Sequence, residues 1–564
     1  MRTNDTYTGW SRVPPRDTRA AIRQRSGGMA ELVRSTLGPL GLDKMIVRRM
    51  PDDELRGFAS NDGVAIIEEF EGETDDPIAQ ELITLAETHE DEVGDGVTTM
   101  FLLTCDLLSA SMDLVDRGVH PTDVVEGYSI AAQRTLELWA DMAIPAARDG
   151  ELDRELLETV VMTGMTNGRT ESWPLDEVAD TVVDAVLRVS EPASGTTRLD
   201  HADTVAVPGG SVTDTALVEG PVLPIDVTDA PYLLPAEGPI LMIEGDLKTR
   251  ELSANVNVTV DSDDPSKTAQ SFNEAEGIAA AIGAVDPVAV VITGDADMKV
   301  AWELAGEGAV LLRNTKDTDF EYIKQATGAT PVGPVSPGSS VDPDVLGTVR
   351  LSHRDMGRDD DWLAFEAPPG TGQPAVTLVV RGGTESAAEE AERRIRKGKN
   401  TLRAVIQDPR ALPAGGAPEA ATARDLRSFA PRFGGREQLA IEAFADVLEG
   451  IPKTLGRNAG LDPSETVADL RTRHDAGHDT AGINVDGEVV DDVLADDGLD
   501  SFRVRVTGLV RAIEFVNDLT RIDSFLVDQR DPSLERILED PYYEDLDAED
   551  VIPEPGEPDD LPGT

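Results

Sequence analysis

The sequence predicts a multidomain α+β / α/β chain in which helical ends enclose an α/β middle. Three observations predict it. Helical spacing of apolar residues dominates the first quarter of the chain and returns after about residue 400. Between about 200 and 380, apolar β-rich runs alternate with helical ones, which points to a buried, mostly parallel sheet. The length of 564 residues calls for several domains at about 150 residues each. The order helical, mixed, α/β, mixed, helical is symmetric, so nested domains are expected, with both chain ends sharing one of them.

The elements follow in order. Met29, Leu32, Val33 and Thr36 keep helical spacing, and Leu37-Gly38-Pro39-Leu40-Gly41 stops that helix abruptly. Met45-Ile46-Val47 and Arg56-Gly57-Phe58 flank a Pro-Asp-Asp turn and read as short strands. Asn61-Asp62-Gly63 reads as a tight turn leading into Val64-Ala65-Ile66-Ile67. Helical patterns follow at 77–88, 98–116 and 121–139, the last entered through His120-Pro121-Thr122-Asp123. In the middle, Ile240 to Ile243, Val288 to Ile292, Ala309 to Leu312 and Val376 to Val380 are the strand candidates. Residues 529–564 are rich in Asp, Glu and Pro, cannot bury a core, and read as a disordered acidic tail.

Charge narrows the function classes. There are 108 acidic residues against 50 basic ones, a formal net charge of −58, and only nine lysines. The acidic residues are spread along the whole chain. Such self-repulsion is tolerable where salt screens it, so a high-salt cytoplasm is the expected setting. The same charge argues against nucleic-acid and anionic-membrane partners. Cys105 is the single cysteine and sits among Leu102, Leu103, Leu107 and Leu108, which reads as a buried core thiol. No disulfide can form within the chain, which fits a reducing compartment. The start, Met1-Arg2-Thr3-Asn4-Asp5, has no apolar signal region, and no apolar run is expected to reach bilayer length. A cytoplasmic location is therefore expected. No Walker-type loop, kinase signature or His/Cys metal cluster is evident, and the six histidines are scattered.

The chemistry concentrates in Asp91-Glu92-Val93-Gly94-Asp95-Gly96-Val97-Thr98-Thr99. Glycines let a backbone approach a ligand closely. The helical run that follows offers N–H groups and a positive dipole to phosphate. Asp95 could hold a metal ion that bridges phosphate oxygens. Four more segments suit a nucleotide pocket: Thr36 to Gly41, Asn61-Asp62-Gly63, Ala414-Gly415-Gly416-Ala417-Pro418-Glu419 and Leu455 to Pro463. Each alone is common turn chemistry; their order along one chain is not.

In that order the chain resembles the group II chaperonins, the archaeal thermosome subunits, up to about residue 526. Ser35 to Met45 is similar to the family's first phosphate loop. Asn61 to Gly63, Glu92 to Gly96, Gly118 to Thr122, Ser211 to Thr215, Leu378 to Gly383, Gly415 to Glu419, Ile451 to Leu455 and Arg521-Ile522-Asp523 match in turn. The resemblance implies an ATP-binding molecular chaperone subunit of a double-ring chaperonin that assists protein folding, here a divergent haloarchaeal-type paralogue. It implies a mainly helical equatorial domain (1–138 and 403–528), a small intermediate domain (139–216 and 368–402) and an α/β apical domain with a helical protrusion (217–367). Its implied cofactors are ATP and Mg2+. Its implied partners are chaperonin subunits in a homo- or hetero-oligomeric ring and non-native protein clients. Asp95 would hold the magnesium, and Thr98 and Thr99 would contact phosphates beside Gly96 and Val97. Thr36, Leu37, Gly38 and Pro39 would line the phosphate loop, and Gly415 and Gly416 would pass beside the nucleotide. Asp500 would lie near the adenosine, and Asp62 would help orient the attacking water.

The chain also departs from that pattern. Val97 stands where the family usually has Thr, Leu40 where it has Lys, and Ala414 where it has the first of three glycines. In Glu392-Arg393-Arg394-Ile395-Arg396-Lys397-Gly398, Lys397 stands where the family presents the aspartate that aids the attacking water. A lysine ammonium has donors and no acceptor, so it cannot take a proton from water. The expectation is a subunit that binds ATP with impaired hydrolysis. The alternative is a non-hydrolysing structural or regulatory subunit in a mixed ring. Asp264-Pro265-Ser266, followed by Phe272, Ala275, Ile278, Ala279 and Ile282, resembles the start of the family's lid element, with Gly277 lowering its helix propensity.

Overall fold

The computed structural model describes residues 10–528, apart from 50–54, 71–73, 75, 149, 167–174, 224–233, 250–264, 356–360 and 369–371. The acidic tail and the Asp264 end of the lid element lie outside the described residues.

Helices α1 (Pro15–Arg34), α2 (Gly63–Glu68), α3 (Pro77–Val93), α4 (Val97–Asp116), α5 (Pro121–Met142) and α6 (Arg154–Met165) open the chain. The middle carries α7 (Leu175–Arg188), α8 (Pro265–Gly283), α9 (Met298–Gly306), α10 (Asp317–Thr327) and α11 (Glu385–Gln407). The last third carries α12 (Ala417–Phe429), α13 (Glu437–Leu448), α14 (Gly450–Asn458), α15 (Pro463–Asp475) and α16 (Phe502–Thr520). Prolines open α1, α3, α5 and α15, where the missing N–H has no helical partner to lose. The chain divides into two compact units: Met1–Ser172 with Asp408–Thr564, and Trp173–Gln407.

The first unit is helical and is made from both ends of the chain. Strand Trp10–Arg12 pairs antiparallel with Leu526–Asp528, so the two ends meet. Its core is centred on α4, where Phe101, Leu102, Leu107 and Leu108 are fully buried together with Tyr128, Trp139 and Phe444. Cys105 is a buried free thiol in that core. Strands Lys44–Arg49 and Leu55–Ser60 form the expected antiparallel pair. Helix α4 corrects one expectation. It is 20 residues long with a mean hydropathy of 1.3, long and apolar enough to cross a bilayer. Its apolar surface is instead taken up by packing on α1, α13 and α16, and a fully enclosed core helix needs the same composition.

The second unit contains a six-stranded sheet in the order Val222–Leu223, Asp361–Glu366, Gly347–Asp355, Ala236–Ile243, Ala289–Ile292, Val310–Leu312. Only the last three strands run parallel to one another; the other pairings are antiparallel. The expected mostly parallel sheet is therefore mixed. Parallel pairs need crossover helices, supplied here by α8 and α9, whereas Gly347–Asp355 and Asp361–Glu366 are consecutive and pair directly. Val376–Gly382 also differs from expectation. It lies in a separate three-stranded sheet between Ala202–Pro208 and Ala216–Glu219. Its apolar run reflects burial against α11 and α7, which says nothing of which sheet it joins. Ala275, Ile278, Ala279 and Ile282 of α8 pack into the core over the six-stranded sheet. Gly277 has a packing reason: a Cβ there would stand 2.9 Å from Pro337 Cβ.

Candidate functional site

Helix α3 ends at Gly94 (φ 74°) and α4 begins at Gly96 (φ 76°), both left-handed, so the Gly94-Asp95-Gly96 turn needs its glycines. A Cβ on Gly96 would also stand 2.5 Å from Val504 Cγ1. With glycine as N-cap, no side chain caps α4, so its first N–H groups are a ready anion seat. The Asp95 carboxylate accepts a hydrogen bond from the Gly96 N–H at 2.7 Å. Val97 is buried under this turn, and Thr98 and Thr99 occupy the first helical turn.

Asn61-Asp62-Gly63 is more than a tight turn. Asp62 is the N-cap of α2 and accepts from the Val64 N–H at 3.2 Å, while the Asp62 N–H donates to Ser60 Oγ at 3.0 Å. A two-residue look-ahead shows an Asx turn in either case; only the helix that follows distinguishes them. A Cβ on Gly63 would lie 2.3 Å from Thr98 Oγ1, so α2 and the start of α4 meet at a glycine.

The loop after α1 is held from α14. Thr36 Oγ1 donates to the Val33 carbonyl at 2.8 Å, Leu37 is buried, and Gly38 has φ 87° with the turn at Pro39 following. A Cβ on Gly38 would stand 2.4 Å from Leu455 Cδ2. Asn458 Nδ2 donates to the carbonyls of Arg34 (3.1 Å) and Leu37 (2.8 Å). The same α14 supports the other glycine loop: a Cβ on Gly416 (φ 76°) would stand 2.8 Å from Pro452 Cβ. At Gly415 (φ 66°) it would stand 2.3 Å from the Ile483 carbonyl.

Arg505 on α16 joins these pieces, and sequence reasoning missed it. Its guanidinium pairs with Glu419 on α12, lies 3.5 Å from Thr99 Oγ1, and lies 3.6 Å from the Asp500 carboxylate. Burial works against the Arg505 charge, but Glu419 and Asp500 outweigh it and hold the guanidinium firmly protonated. Burial pushes the Asp500 carboxyl up, against the pull of Arg505. Glu419 is fully buried, and its Oε2 has no hydrogen-bond partner among the described residues. A small cavity of about 10 Å³, lined by Gly96, Thr99, Glu419, Arg505 and Trp139 among others, has room for roughly one water. The available signal was an arginine inside an otherwise apolar helix face containing Phe502, Val504 and Leu509.

The structure thus brings Thr36 to Pro39, Asp62, Asp95 to Thr99, Gly415, Gly416 and Asp500 into one unit, joined through α14 and Arg505. Lys397 belongs to the second unit, on α11, where it is half-buried and its carbonyl accepts from Thr401 Oγ1 at 2.9 Å. The residues fit a nucleotide. Left-handed glycines whose Cβ positions are blocked and an uncapped helix start leave backbone N–H groups open to a ligand, and among the described residues Glu419 Oε2 beside them has no hydrogen-bond partner. Among the described residues no group of three His, Cys, Asp or Glu side chains could hold a metal.

A helical unit made from both chain ends carries these glycine loops, and the chain between those ends forms a second unit of strands and helices. A profile of the TCP-1/cpn60 chaperonin family matches residues 29–530, and the chain belongs to that family. It is 36% identical over 508 residues to thermosome subunit alpha of Halobacterium salinarum, covering 88% of this chain and 86% of that one. Thermosome subunit 1 of Haloferax volcanii gives the same identity and coverage. The thermosome subunit of Methanopyrus kandleri is 35% identical over 536 residues, covering 92% and 93%.

Proposed function

We propose that this chaperonin is an ATP-binding molecular chaperone subunit that assists protein folding as part of a double ring, and that its own hydrolysis step is impaired. The carrying observation is the family match over residues 29–530 together with a single unit that gathers the glycine loops, Asp95 and the uncapped start of α4. Three domains are proposed within the two units: equatorial (1–138, 403–528), intermediate (139–216, 368–402) and apical (217–367). Partner subunits are other chaperonin chains, in a homo- or hetero-oligomeric ring, and the clients are non-native proteins. The similarity to two haloarchaeal thermosome subunits and the net charge of −58 support a haloarchaeal-type paralogue working in a salt-rich cytoplasm.

Asp95 would hold Mg2+, which when bound neutralises charge on the phosphate oxygens. The N–H groups opening α4, with Thr98 and Thr99, would take phosphate oxygens. Thr36 to Pro39 and Gly415-Gly416 would pass close along the nucleotide, and Asp500 would face the adenosine. Asp62, already oriented by the Val64 N–H and its own N–H on Ser60, would orient water. Lys397 favours a second reading, a non-hydrolysing structural or regulatory subunit in a mixed ring, because an ammonium accepts no proton. General-base assistance is worth about 10²–10⁴ in rate. Single-turnover ATP hydrolysis in saturating salt, parent beside Lys397→Asp, tests this. A slow parent and a gain of that size in the variant are expected; a parent already at the variant's rate sinks the impaired-hydrolysis reading. Native mass with and without ATP tests ring assembly, and a stable monomer in both conditions sinks the ring.

A further inference from the structure

The turn that carries Asp95 is held from beneath by one side chain. His89 lies in the last turns of α3, its ring fully buried. Its Nε2 is 3.1 Å from the Asp95 carbonyl oxygen. A carbonyl only accepts, so Nε2 carries the proton and the neutral ring keeps Nδ1 bare. Nδ1 has no partner. The His89 backbone serves the same turn, its carbonyl accepting from the Gly94 N–H at 3.4 Å. The ring lies beside two glycines: a Cβ on Gly508 would stand 3.7 Å from His89 Cε1 and one on Gly96 3.9 Å from Nε2, both ordinary van der Waals separations. Asp95 is therefore gripped twice, its carbonyl by the imidazole and its carboxylate by the Gly96 N–H.

A buried imidazole must place its N–H on an acceptor, and here that acceptor is the Asp95 carbonyl. Among the described residues, the bond that the ring makes goes to the residue whose carboxylate must be aimed. Such outer contacts commonly decide how well a metal-binding carboxylate performs. We propose that His89 is a positioning residue for the metal end of the cradle: its Nε2–H fixes the Asp95 peptide and so holds the carboxylate ready for the magnesium of a bound Mg-nucleotide. This rests on the nucleotide reading above. Arg511 and Glu92 are the charged groups that bear on the ring, and they pair with each other rather than with it.

The test compares the full chain with His89→Leu, which removes the donor, and His89→Gln, which keeps an N–H of similar reach. Binding of a fluorescent ADP is measured in saturating salt, once with Mg2+ and once with EDTA. The expected result is that His89→Leu loses about tenfold of the magnesium-dependent gain in affinity, the size usual for outer contacts. Its metal-free affinity stays within about twofold of the parent, and His89→Gln keeps most of the gain. A Leu variant that retains the gain, or that loses both affinities equally, overturns the proposal. Should the Leu variant not fold, His89→Asn, whose amide is too short to reach, is set beside His89→Gln, and equal gains overturn it. A parent that binds no nucleotide under either condition overturns the nucleotide reading itself, and the inference with it.

Discussion

Arg505 on α16 forms an ion pair with the fully buried Glu419 on α12, and the same guanidinium faces Asp500 and Thr99. One cation therefore ties the residue following the second glycine loop, the candidate adenosine carboxylate and the opening turn of α4. Taking a charge pair this far out of water is costly, and a buried pair contributes only when its remaining polar atoms are satisfied. Among the described residues Glu419 Oε2 finds no hydrogen-bond partner, and Glu419 lines the small cavity that Gly96 also lines.

Breaking this pair from one side is expected to be severe. Arg505→Met strands a buried carboxylate and should destabilise the first unit by about 3–5 kcal/mol. Arg505→Met with Glu419→Gln should recover a large part of that loss. Denaturant unfolding of the parent, both single variants and the double variant gives the coupling; additive losses would show that the pair does not act as a unit.

Gly63→Ala should act on the site by volume alone. The new methyl would stand 2.3 Å from Thr98 Oγ1 and has to push α2 from the start of α4. A loss of about 1–3 kcal/mol is expected, with weaker nucleotide binding. Combining it with Thr98→Gly removes the obstructing side chain and should restore the unfolding midpoint in part. No recovery would mean that α2 and α4 are not in the contact described.

In the second unit, Lys399 of α11 is buried and donates to the Ala202 carbonyl and to Thr204 Oγ1 at 2.7 Å. Burial lowers its pKa from 10.5 to about 8, with Asp203 and Glu392 opposing that shift and Arg396 adding to it. Between those values the unfolded chain holds the proton and the folded chain does not. Stability should therefore rise with pH from about 8 to 10.5, by on the order of 3 kcal/mol from this group. Unfolding curves across that window should show the slope in the parent and lack it in Lys399→Met. A parent as flat as the variant contradicts it.

Much of the loop geometry was legible because its signals are local. Gly38, Gly96, Gly415 and Gly416 announce left-handed turns one residue at a time, and Pro418 with Glu419 announces a helix start. Asp95 lies between two such glycines, and Thr98 and Thr99 fall in the first turn of the helix that follows. Arg505 and His89 were not legible. Each sits on a helix face whose other members are apolar or ordinary, and each matters only through a partner distant in space or on another element. The same limit explains the sheet. Val376 to Val380 reads as a buried strand in any sheet, and nothing local says that its neighbours are Ala202–Pro208 and Ala216–Glu219. Helix α4 shows the limit from the other side: apolar enough for a bilayer, it is a core helix because α1, α13 and α16 surround it.

By itself, then, the sequence determined the helices, the glycine turns, the acidic surface and the lysine at position 397, because caps, periodicity and charge are written within a few residues of one another. Only the tertiary structure decided which strands share a sheet, that α14 buttresses two glycine loops at once, and that His89 and Arg505 stand under the Asp95 turn. Those are contacts between segments separated by up to some four hundred residues. They are settled by which buried surfaces fit and which buried polar atoms find partners, and a local pattern carries neither.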